Sequence, residues 1–107
     1  MKVLLALLAV GGISTGAALA GPSMSQGWDE ITVSRADCLA KAERIMKAAG
    51  LIKNFEVTGE TVWGETGDYT AALRCVAAKN IIIRTVAGPE ASETSKISLK
   101  LKEDFFK

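Results

Sequence analysis

The chain of 107 residues holds two thiols, Cys38 in "SRADCLAKAERIMKAAG" and Cys75 in "TAALRCVAAKN". Two sulfurs can serve as a reactive pair, as metal ligands or as a covalent staple. A thiolate in the first turns of a helix can act as a nucleophile, but it needs an activating partner. The sequence has no histidine and no Cys-x-x-Cys motif. Two cysteines without histidine also make a poor zinc site. The missing histidine removes the commonest general base, the usual catalytic triads and His-based metal centres. Among the carboxylates, Glu56 and Glu60 share a strand face, but Arg74 between them gives them a structural role. Asp29–Glu30 and Glu103–Asp104 are adjacent pairs of no evident catalytic geometry. "GETGD" lacks the lysine and the following helix of a phosphate-binding loop. The inventory points to a non-catalytic protein with no cofactor and no metal, and to a Cys38–Cys75 disulfide.

That bond requires an oxidising compartment, and the N-terminus points to one. "MKVLLALLAVGGISTGAALAGPS" has a basic Lys2, an apolar run over Val3 to Val10, and Ala18-Leu19-Ala20 as a small-x-small cleavage pattern. Gly11, Gly12, Ser14, Thr15 and Gly16 interrupt the run, so it reads as a cleaved signal over residues 1–20 rather than a membrane anchor. The expected location is periplasmic or extracellular, with no stable membrane insertion after cleavage. With the signal set aside, 87 residues remain, with twelve basic and twelve acidic side chains. A neutral, mixed surface gives no reason to expect nucleic acid as a partner. A domain of this size has a modest core, so a disulfide would contribute substantially.

The elements must bring the two sulfurs together. Ser34 and Asp37 open an amphipathic segment whose Cys38, Leu39, Ala42, Ile45, Met46 and Ala49 share one face. Gly50 closes it, giving a helix over residues 35–49. "NFEVTGETVWGETGDYTAALRCVAA" reads as a β-hairpin with its loop at residues 64–68. That loop pairs Trp63 with Tyr69, Thr61 with Ala71, Gly59 with Leu73 and Val57 with Cys75. These residues form the apolar face, and Val62, Ala72 and Arg74 fall on the solvated one. Packing the helix on the Cys75 face makes the disulfide. A further strand is expected over residues 81–87, then a helix whose face carries Ile97, Leu101 and Phe105. Its acids fall early and its lysines late, which suits the helix dipole. "WDEITVS" reads as a short first strand, preceded by a flexible leader over residues 21–27. The expected fold is a two-layer α+β domain over residues 28–107. Its order is β-α-β-β-β-α, with an antiparallel-rich sheet and helices on one face.

Trp63, Tyr69 and Arg74 are the candidate partner-binding residues. The structural alternative has Trp63 and Tyr69 pairing across the strands to cap the core, and their assigned face favours it. The series "DCLAKA", "VWG", "GDY", "LRC" and "VAGP", spread over Asp37 to Pro89, resembles small exported bacterial domains of no established function. That resemblance implies export and a disulfide, and no particular activity. The expected function is non-catalytic binding of another protein or a cell-envelope component, through a free sheet edge or the Trp63/Tyr69 end of the hairpin. A secreted hydrolase inhibitor acting through the 63–69 hairpin tip is the alternative, and a thiol-redox protein a third.

Overall fold

The computed structural model describes residues 21–107, so the expected export signal at residues 1–20 lies outside the described residues. Seven strands and α-helices follow in order, with a single 3-10 turn (Ala77–Lys79) before the fifth strand: β1 (Ser23–Glu30), α1 (Arg35–Ala48), β2 (Lys53–Thr58), β3 (Thr61–Thr66), β4 (Tyr69–Val76), β5 (Ile81–Gly88) and α2 (Ala91–Phe105). The strands form one sheet in the order β1-β5-β4-β3-β2, and every neighbouring pair is antiparallel. Both helices pack on the same face of it. The two-layer α+β architecture is the expected one, with one strand more.

Local chemistry accounts for each helix. Ser34 Oγ accepts a hydrogen bond from the Asp37 N–H at 3.1 Å and caps α1. Gly50, at φ +80°, ends it. The buried face of α1 is Cys38, Ala42, Ile45 and Met46. Cys38 is bonded to Cys75 of β4, with Cα atoms 6.1 Å apart and both residues fully buried. The staple joins the start of α1 to the middle strand of the sheet. Helix α2 buries Thr94, Ser98, Leu101 and Phe105, one helical face. Its two polar members are satisfied, since Thr94 Oγ1 donates to the Ala91 carbonyl and Ser98 Oγ accepts from Arg84 Nε at 3.0 Å. Arg84 also pairs with Asp29, whose other carboxylate oxygen lies 3.4 Å from Lys102 Nζ. A half-buried polar bridge thus ties α2 to β5 and β1. Gly27 makes room for it: a Cβ there would stand 2.7 Å from Arg84 Nη2.

Two expectations are corrected. Residues Ser23 to Gly27, part of the expected flexible leader over residues 21–27, form the first five residues of β1, which pairs with β5 along its whole length. The "ITVS" end of the expected strand is connecting chain, with Ile31 buried. The hairpin register also changes. Its first arm folds back at Gly59-Glu60 into β2 and β3, and the second turn is Gly67-Asp68, which joins Thr66 to Tyr69. Trp63 therefore pairs with Ala72 and Val62 with Leu73. The displacement is an odd number of residues, so β3 turns over. Val62 becomes core and Trp63 becomes surface.

Candidate functional site

Alternation along five strands gives this sheet two faces, and the helices cover only one. The other is open to solvent. From the β1 edge inward it carries Trp28 opposite Ile83, Ile83 opposite Arg74, and Arg74 opposite Thr61. The adjacent row runs Gln26, Thr85, Ala72, Trp63 and Glu56. Trp28 is 61% exposed and Trp63 43%, unusually high for indoles on a five-stranded sheet. Ile83, which stands across from Trp28, is only half-buried, as are Ile81 and Val76 in the next row out. No other tryptophan exists in the chain.

Two shallow depressions of about 430 and 410 Å³ lie side by side on this face. Trp28, Ile81 and Ile83 line the first, and Trp63, Ala72 and Arg74 the second. Gln26 and Ile83 belong to both. The polar groups between the indoles are held in place. Gln26 Nε2 donates to Thr85 Oγ1 at 2.9 Å, and Arg74 Nε donates to Glu60 Oε2 at 2.6 Å. The result is a largely preformed surface of aromatic, aliphatic and oriented polar groups, the composition of interface hot spots.

The three residues expected to bind a partner do not come together. Trp63 and Arg74 share the open face, whereas Tyr69 points to the helix side and lies across Gly88. The Trp63–Tyr69 pair proposed from the hairpin does not form, because Thr66 stands opposite Tyr69. Trp28, Gln26 and Ile83 were missed as site residues. A signal for the first two existed in "SMSQGWDE". Large Met24, Gln26, Trp28 and Glu30 alternate there with small or short Ser23, Ser25, Gly27 and Asp29. The small set faces α2 and the large set faces solvent.

The chain matches no known family model and no curated protein at a significant level. Among the described residues, no group of three or more Cys, Asp or Glu side chains is placed to hold a metal ion, and no helix is long and apolar enough to cross a membrane. Both cysteines are consumed by the disulfide. Of the adjacent acid pairs, Asp29 is engaged by Arg84 and Lys102, and Asp104 by Lys100 and Lys107. Hydrogen bonding from Lys100 holds the Asp104 carboxyl below its ordinary value, with Lys107 adding to the effect and partial burial opposing it.

Proposed function

We propose that this protein is an exported, non-catalytic binding domain that docks a protein partner on the open face of its sheet. The observation that carries the reading is the exposure of Trp28 and Trp63 on the face that no helix covers. Exposed indoles with half-buried aliphatic neighbours on an uncovered face are the mark of an interaction site. Tryptophan and arginine are also the residues that most often dominate interface energy. Export is supported by the signal-like N-terminal residues and by a fully buried disulfide, which suits an oxidising compartment.

The test begins by isolating proteins that the oxidised wild type retains from cell-envelope extract and a Trp28→Ala/Trp63→Ala variant does not. The purified candidate is then recombined with the domain for hydroxyl-radical footprinting. The expected outcome is protection of both indoles, with an unchanged urea midpoint for the free variant. Retention of every candidate by the variant, or a footprint confined to α1 and α2, would reject the open face as the docking surface.

A further inference from the structure

The open face carries the same local arrangement twice: an exposed indole beside a carboxylate that no cation neutralises. Glu56 stands directly across from Trp63, and Glu30 follows Trp28 by two residues on the same side of β1. Both carboxylates are exposed, and neither forms an ion pair within 4 Å among the described residues. The polar contact Glu56 does make is the hydroxyl of Thr58, which donates at 2.7 Å and leaves the charge in place. Lys79 borders the depression next to Glu30 without pairing with it, and Lys53 stands across from Glu65 at the far corner. The central cation, Arg74, is neutralised by Glu60.

An indole face and a nearby carboxylate attract a lysine or arginine side chain together, the first through the ring quadrupole and the second through charge. The strands bearing the two indoles are three spacings apart, about 14 Å. Between them lie Ile83 and Ala72 and the neutral Arg74–Glu60 pair. Resting on the reading of this face as a docking surface, we infer that its occupant is a cationic amphipathic polypeptide. Two basic side chains of the partner sit at Trp28/Glu30 and Trp63/Glu56, with apolar residues between them against Ile83. A second copy of this chain fits less well face to face, because it would bring the unpaired carboxylates against one another.

Both tryptophans of the chain lie on this face, so indole emission reports its occupancy directly. A synthetic peptide of alternating lysine and leucine is titrated against the oxidised domain, with a glutamate–leucine peptide beside it. The expected result is a blue shift with the lysine peptide alone. The apparent affinity should fall about tenfold in a Glu30→Gln/Glu56→Gln variant, and fall again with added salt. Equal response to the two peptides, no response to either, or unchanged binding by the double variant would overturn the inference. So would a blue shift that grows with protein concentration in the absence of peptide, which would identify a second copy. A shift with a neutral oligosaccharide and not with the lysine peptide would identify a glycan. The docking face is judged separately, because loss of an extract-derived partner in the Trp28→Ala/Trp63→Ala variant does not depend on the peptide result.

Discussion

Gly88 carries no side chain because Tyr69 occupies the space. A Cβ at Gly88 would lie 2.0 Å from Tyr69 Cδ2 and within 3 Å of two further ring atoms. The ring is half-buried on the helix side of the sheet, which leaves it little room to retreat. Gly88→Ala should therefore destabilise the domain by about 1–3 kcal/mol, the usual cost of overpacking. Tyr69→Ala should make Gly88→Ala nearly neutral. A double-mutant cycle of urea midpoints checks the coupling, and additive effects would show that the contact is not the cause. Gly64 accounts for the difference between the expected and observed hairpin register. In "GETGD" it looks like a turn glycine, yet it lies within β3, where a Cβ would come 2.1 Å from the Leu51 carbonyl oxygen. The glycine is there for close approach rather than for a bend, and the sequence alone does not separate the two.

At the scale of elements, the two turns share one chemistry. Thr58-Gly59-Glu60-Thr61 and Thr66-Gly67-Asp68-Tyr69 each place a glycine first, at φ +60° and +56°, followed by an acidic residue at negative φ. That is the arrangement of a type II′ hairpin turn. The spacing of eight residues between them was visible in the sequence, and it marks a three-stranded meander rather than a single long hairpin. The helices were more legible. The cap and glycine stop of α1 and the apolar periodicity of both helices are local signals, and the core positions Cys38, Ala42, Ile45, Met46, Leu101 and Phe105 follow from them. Ser98 was not legible, since it is buried only to meet an arginine from another element. The end of α2 gives a pH-dependent prediction. Lys100 Nζ donates to Asp104 at 2.9 Å, and Lys107 lies 3.3 Å from the same carboxylate. A carboxyl held below its ordinary value adds stability above its unfolded-state value and loses that contribution as the pH falls through the folded one. Asp104→Asn should therefore lower the urea midpoint at neutral pH, and the gap to wild type should close under acid. A gap that persists unchanged below the carboxylate range would show that Asp104 acts through something other than its charge.

For the whole molecule, the disulfide is the largest single constraint. It closes a loop spanning a 37-residue separation between the start of α1 and a middle strand. In the chain-entropy account such a loop is worth about 4 kcal/mol. That is a large share of the about 5–15 kcal/mol typical of a folded domain. A Cys38→Ala/Cys75→Ala variant should lose roughly that amount in urea unfolding. In the wild type, alkylation should require both reductant and denaturant, because both sulfurs belong to fully buried residues. Labelling of the native, unreduced protein would contradict the buried staple. The pairing itself was legible, since an amphipathic helix and an amphipathic strand each placed a cysteine on its apolar face. The open face was not. Which side of β3 meets the helices depends on one turn position, and where β1 joins the sheet depends on contacts more than fifty residues away.

That last pairing also bears on folding, where the expected order follows sequence separation. Strand β1 is synthesised first, yet its partner β5 comes near the end of the chain, and α2 locks against both only after that. Until Ile81–Gly88 has appeared, Ser23–Glu30 has no edge to join. The meander of β2, β3 and β4 can form from neighbours in sequence, whereas completing the sheet must wait for a long loop to close. Between the appearance of β5 and the arrival of β1, Trp28 and the unpaired margin of β5 are exposed together. Closure of this long loop is therefore expected to be slow and to be the stage most open to capture by another chain.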